Sequence, residues 1–181
     1  MDGRKKYGME RRALILQWLK ASNEPLTGQM LAEKTNVSRQ VIVQDISLLK
    51  AKDEPIIATA QGYVYINEQQ SNYPFRRIIA CKHKGDKTED ELKILVDHGV
   101  FVRNVSVEHP IYGELTASLM IKNRRDLGHF MKKMEETNSS YLSDLTDGVH
   151  LHLLEAETIE QLDDACEDLE KAGFLLSKVE E

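Results

Sequence analysis

The side chains with the most chemical potential in this chain are two imidazoles spaced one residue apart, in the run Val149-His150-Leu151-His152-Leu153-Leu154. Successive side chains of a β-strand point to opposite faces, so a strand here puts His150 and His152 on one face and the aliphatic residues on the other. Paired neutral imidazoles are good ligands for Zn, Ni or Fe. The spacing itself offers only two donors, and a polar strand face carrying two exposed histidines reads the same way. Further donors stand elsewhere: His83 closes an earlier strand-like run, and Glu91, eight residues on, could supply a carboxylate. Glu91 has a competing role, because Thr88-Glu89-Asp90-Glu91 fits a capping box in which the glutamate folds back onto the cap residue's N–H. His98 and His129 fall on helical stretches and read as surface residues, while Cys81 and Cys166 form no CxxC pair and read as small hydrophobes without assigned chemistry.

These donors must be positioned by the second half of the chain, where strand and helix signals alternate. Strands are expected over Phe75 to Cys81, Val100 to Val107, Leu115 to Ile121 and Val149 to Leu154, with a short last one at Phe174 to Leu176. Helices are expected over Thr88 to His98, Asn123 to Glu136 and Thr158 to Ala172, the first and last stopped by Gly99 and Gly173. Such an order makes an α+β sandwich, similar to ferredoxin-like or ACT-like sensor domains, and the architecture alone assigns no function.

The first half has a different rhythm. Leu14, Ile15, Trp18 and Leu19 recur at helical spacing between Met9 and Leu19, and Asn23-Glu24-Pro25 stops them. Thr27 can cap a second short helix, and Ser38 a third on which Ile42, Ile46 and Leu49 share one face. Pro55 to Ala60, a turn at Gln61-Gly62, and Tyr63 to Ile66 then read as a hairpin. Three short helices and a hairpin suit a winged helix-turn-helix, with Arg39, Gln40 and Gln44 nearest the bases of double-stranded operator DNA, and with Thr27 and Ser38 as caps that can also meet phosphate.

Charge is divided in the sense this requires. Residues 1–70 carry 10 Lys and Arg against 8 Asp and Glu, whereas 71–181 carry 14 against 22, so the net charge of -6 belongs to the second half. A local positive patch is enough to attract phosphate, and Arg4, Lys5, Lys6, Arg11 and Arg12 gather near the start, where a solvated terminus is the plainer account. Residues 67–74 read as a linker, placing the domains at 1–70 and 71–181. No run is apolar enough to span a bilayer and the basic start lacks an apolar signal core, so a cytoplasmic protein without a membrane partner is expected.

The run LTGQMLAEKTNVSRQVIVQDISLLKAKDEPIIATAQGYVY resembles the winged helix-turn-helix of the biotin-repressor type, and the remainder resembles the 3H domain. Together they resemble the niacin-responsive repressors of Firmicutes. The resemblance implies a repressor of NAD-biosynthesis and nicotinate-uptake genes with nicotinic acid as co-repressor. It also implies one divalent transition metal ion (Ni, Zn or Fe) held by His83, Glu91, His150 and His152, and an effector pocket that includes His109 and Tyr112 of the segment His109-Pro110-Ile111-Tyr112-Gly113, for which a simple turn is an equal account. A homodimer is expected, since one small helix-turn-helix covers too little DNA for useful specificity. A metal-responsive regulator and a metal-dependent enzyme fused to a DNA-binding domain are the alternatives; no motif places a separate general acid or base, so the expectation is not an enzyme.

Overall fold

The computed structural model describes residues 8–22, 24–66 and 73–176. The chain divides into two compact units, Met1–Gln70 and Ser71–Glu181. The basic residues Arg4, Lys5 and Lys6 and most of the linker, 67–72, lie outside the described residues.

In the first unit, α1 (Gly8–Ala21), α2 (Gly28–Thr35) and α3 (Arg39–Lys50) are followed by β1 (Ile56–Thr59) and β2 (Gly62–Tyr65). Local chemistry sets the boundaries. Thr27 Oγ1 accepts from Met30 N at 3.1 Å and Ser38 Oγ from Val41 N at 3.4 Å, each satisfying an orphan donor of a helix start. Asn36 ends α2 in the left-handed region, which asparagine tolerates. The wing pairs Thr59 with Gly62, so the turn is Ala60-Gln61, one residue earlier than the pattern suggests, and Thr59 Oγ1 accepts from Gln61 N. Leu26 bonds Tyr63 in both directions, at 2.9 and 2.8 Å, and a Cβ at Gly62 would stand 2.7 Å from the Leu26 carbonyl oxygen. Only glycine lets that third segment approach.

Ile15, Leu19, Leu31, Ile42 and Ile46 form this unit's core. One acid is buried with them. Asp45 of α3 is 2 % exposed and is gripped by Arg11 and, at 3.2 Å, by Arg12 Nη1, both on α1. These two arginines, expected to add to a basic terminus, tie α1 to α3 instead.

In the second unit a four-stranded antiparallel sheet has the order β3-β6-β4-β5, where β3 is Phe75–Lys82, β4 Phe101–His109, β5 Gly113–Ile121 and β6 Val149–Ala156. Helix α4 (Thr88–Asp97) links β3 to β4, α5 (Arg124–Thr137) precedes β6, and α6 (Ile159–Lys171) follows it. Strands β3 and β4 flank β6, and β5 and β6 flank β4, so each helical connection spans an intervening antiparallel strand. The central strands are the second and fourth of the unit, whereas a ferredoxin-like sheet centres its first and third, and that analogy is corrected accordingly. Leu92 and Leu95 of α4 and Leu162 and Leu169 of α6 share a core with Leu154 of β6 and Ile121 of β5. The expected last strand reduces to a bridge between Cys81 and Leu175.

Breaking a buried ion pair by deleting one partner typically costs about 3–5 kcal/mol, because the other charge stays where water cannot reach it. We therefore expect Asp45→Ala to destabilise the first unit by roughly that amount, read from its chemical denaturation midpoint. A loss below about 1 kcal/mol, the scale of an exposed pair, would show that the pair does not tie α1 to α3.

Candidate functional site

The helices packed on one face of β6 decide the character of its histidines. His150 and His152 are 3 % and 2 % exposed and face the core, while Val149 and Leu151 on the other face are 37 % and 36 % exposed. The ordinary amphipathic orientation is reversed, and the reading of two exposed histidines on a polar face does not hold. Each ring is anchored from behind: Nδ1 of His83, His150 and His152 lies 2.9, 2.9 and 2.7 Å from the backbone carbonyls of Lys84, Gly148 and Asn104. Those carbonyls can only accept, so each Nδ1 carries its proton and each Nε2 is directed forward.

Three Nε2 atoms converge on one carboxylate. Glu91 Oε2 lies 2.8 Å from His83, 3.2 Å from His150 and 3.4 Å from His152. The His83 and His152 rings each meet His150 edge to face at centroid distances of 4.9 Å. Glu91 is fully buried, and its side chain does not form the capping box that its position suggested: α4 begins from Lys87 without a side-chain cap, led in by a 3-10 turn at Gly85–Lys87. Irregular backbone supplies the supporting acceptors. A bulge between Val102 and Asn104 leaves Arg103 out of the ladder, and beside it the Asn104 carbonyl meets His152 while the Asn104 side-chain Oδ1 accepts from Leu153 N at 3.1 Å. Gly148, at φ 86°, passes so close to His83 that a Cβ would meet the His83 carbonyl oxygen at 2.3 Å.

With imidazoles fixed as Nδ1–H tautomers, three Nε2 lone pairs and a carboxylate face one another. Such a set needs positive charge at its centre, supplied by protons or by a metal ion, and three N donors with one carboxylate suit Zn, Ni or Fe rather than Mg or Ca. Without an ion, protons take that place. Burial would raise the pKa of Glu91, but charge at His152 and hydrogen bonds from His150, His152 and His83 hold it well below the usual carboxylate range. Burial opposes protonation of His83, yet its hydrogen bond to Glu91 and the charge there keep it protonated to higher pH than a free histidine.

A cavity of about 380 Å³ opens against Glu91, His150 and His152. Its remaining wall is mostly apolar, with Phe130 and Met134 of α5 and Leu119 of β5, and among the described residues no lysine or arginine lines it. His109 and Tyr112 are not brought to it. They sit at the β4–β5 turn, ring to ring at 5.0 Å, with Tyr112 73 % exposed and His109 Nδ1 accepting from Ile111 N and Tyr112 N.

On α3 of the first unit, Arg39, Gln40, Gln44 and Ser47 are exposed on the face opposite Ile42 and Ile46, and Val43, which the sequence reading passed over, is exposed among them.

Comparison with known proteins agrees with both halves. Residues 11–64 match the HTH domain family and residues 76–178 the 3H domain family. The transcription repressor NadR of Bacillus subtilis is 56% identical over 173 residues, which cover 95% of this chain and 96% of its own. The probable transcription repressor NiaR of Thermotoga maritima is 37% identical over 169 residues, covering 93% and 95%. The chain belongs to the 3H family.

Of the residues singled out in sequence, the 3H unit thus gathers His83, Glu91, His150 and His152 at one point, and leaves His98 paired with Asp168 at 2.9 Å on the surface. Cys81, read from the sequence as a small hydrophobe without chemistry, stands beside this group. It is the cross-strand partner of His150, fully buried, with its thiol pKa pushed up by burial and by the nearby Glu91 charge. The signal available was its spacing of two from His83, which puts both on one face of a strand.

The two shifted pKa values set a pH window for the metal-free 3H unit. The lowered pKa of Glu91 stabilises the fold above its ordinary 4.5, and that contribution is lost as pH falls through its folded value. The raised pKa of His83 stabilises below its ordinary 6.5, and that contribution is lost as pH rises through its folded value. Thermal unfolding of chelator-treated protein should therefore show stability declining as pH rises above 6.5, a decline absent in His83→Ala. Added Zn or Ni, competing with protons for Nε2, should stabilise more as pH rises. Metal-free stability that climbs steadily through this range would contradict the assignment.

Proposed function

We propose that this 3H protein is a DNA-binding repressor of NAD-biosynthesis and nicotinate-uptake genes, with one divalent transition metal ion at His83, Glu91, His150 and His152 and nicotinic acid as co-repressor beside it. The observation that carries the reading is the convergence of three Nε2 atoms on the buried Glu91 carboxylate at the wall of an apolar cavity. A bound ion there supplies the positive charge that an aromatic carboxylate would seek. Among the described residues the cavity wall offers no lysine or arginine, so an anion entering an acidic unit has the metal as its reason to stay. Phe130 and Met134 suit the ring, and the volume falls within the usual span of small-molecule sites, about 300–1,000 Å³. On this reading the effector binds in the cavity, away from His109 and Tyr112, which were the residues the resemblance implied. The names of the two relatives, repressors both, support the regulatory direction over an enzyme.

DNA reading falls to α3. Arg39, Gln40 and Gln44 have the geometry for paired hydrogen bonds to guanine or adenine, and Val43 between them suits a thymine methyl. A homodimer would bring two such helices to a two-fold operator. The open face of the second unit's sheet supports that assembly, since Ile78 is 68 % exposed beside half-exposed Val149 and Leu151. Dimer geometry is then the quantity that ligand shifts, through its differential affinity for two arrangements.

Each of Arg39→Ala, Gln40→Ala and Gln44→Ala should weaken operator binding by about 1–3 kcal/mol and relax preference at one base position. An equal loss on every DNA sequence would mean that these side chains touch only phosphate. The regulatory reading is tested by titrating a labelled promoter fragment of an NAD-biosynthesis gene with metal-loaded protein. Nicotinic acid should tighten binding, and His150→Ala with His152→Ala should abolish both metal uptake and this response while the first unit stays folded. If the metal ion alone produces full affinity and nicotinic acid adds nothing, the protein is a metal-responsive regulator; full metal occupancy in the double variant would refute the site.

A further inference from the structure

Beyond the four donors assigned above, we infer that Cys81 is a fifth ligand of the same ion, its Sγ completing a His83, Glu91, His150, His152 and Cys81 donor set. The inference rests on the metal-centre reading and concerns which ion the site selects. Sγ of Cys81, a carboxylate oxygen of Glu91 and a ring nitrogen of His150 all lie within 4.8 Å of one another. Metal bonds to sulfur and to imidazole nitrogen run about 2.3 and 2.0–2.1 Å for zinc, so atoms at such separations share a centre with only small side-chain movement.

The fold accounts for that placement. Cys81 pairs with His150 across β3 and β6, so both side chains leave the sheet on its inner face, and Cys81 is fully buried. The backbone on both sides is held: Lys82 N donates to the Phe174 carbonyl and Leu176 N to the Ala80 carbonyl, each at 2.9 Å. The thiol therefore stays beside the carboxylate toward which the three imidazoles, anchored through Nδ1, already point.

Direction matters as much as distance. The cavity touches Glu91, His150 and His152, whereas neither Cys81 nor His83 is among its lining residues. Cys81 would thus hold an ion without occupying the cavity, which would stay open to the effector. As the Sγ–metal bond forms, the thiol proton passes to solvent, and the soft donor biases the site toward Zn, Co, Ni or Fe and against Mg and Mn. The second cysteine does not share this setting: Cys166 Sγ stands 3.5 Å from Arg77 Nη1, and Cys166 lies on α6.

Cobalt(II) substitution of the full-length protein tests this, because sulfur bound to Co(II) gives a near-ultraviolet charge-transfer band that nitrogen and oxygen donors do not. The wild type loaded with one equivalent of cobalt should show the band, Cys166→Ser should keep it, and Cys81→Ser should lose it while elemental analysis still finds cobalt. The chain has two cysteines, so retention in Cys166→Ser assigns the band to Cys81 even if Cys81→Ser fails to fold. One bound cobalt without the band overturns the fifth ligand and leaves the four-donor centre standing. Failure of the wild type to take up cobalt would remove the centre itself, and this ligand with it.

Discussion

A carboxylate excluded from water, as Glu91 is, costs several kcal/mol unless positive charge and hydrogen bonds meet it. Much of the second unit's architecture serves that requirement. Two imidazoles arrive from β6 and one from the segment just after β3, each turned by a backbone carbonyl behind it, and each carbonyl stands where the backbone departs from regular structure: past the strand end at Lys84, at the left-handed Gly148, and at Asn104 beside a bulge. The support around the ligands is thus built from the same irregularities that would count as defects in an idealised sheet.

The first unit solves a similar problem with different chemistry. Asp45 is buried between α1 and α3, and its counter-charges are guanidinium groups of Arg11 and Arg12, a group with no lone pair to offer a metal ion. That pair is permanent. At Glu91 the counter-charges are imidazoles, whose Nε2 atoms can hold either a proton or a metal ion. A fixed pair suits a scaffold that presents Arg39, Gln40 and Gln44 in constant geometry, and an exchangeable one suits a unit whose state responds to what it binds.

The cavity extends this division. Its largely apolar wall gives a ring somewhere to lie, and among the described residues no lysine or arginine lines it, so an ion among Glu91, His150 and His152 would be the feature that distinguishes an acid from its neutral analogue.

Helix starts at Thr27 and Ser38, the exposed polar face of α3, the wing hairpin and the shared face of His150 and His152 were legible in the sequence, because caps, turns and periodicity are set by residues within a few positions of one another. Tertiary structure alone decided the rest. Alternation says that the imidazoles and aliphatics of β6 lie on opposite faces, but which face goes inward is decided by the helices, α4 and α6, that pack on the imidazole side. Glu91 matched a capping box by local spacing, yet its carboxylate bonds histidines 8 and 59 residues away in sequence. Cys81 became part of the site through its register with His150, and Arg11 and Arg12 were drawn into a buried pair by an acid 34 and 33 residues on. In each case the deciding partner is distant along the chain, and a buried charge takes whichever counter-charge the fold brings to it.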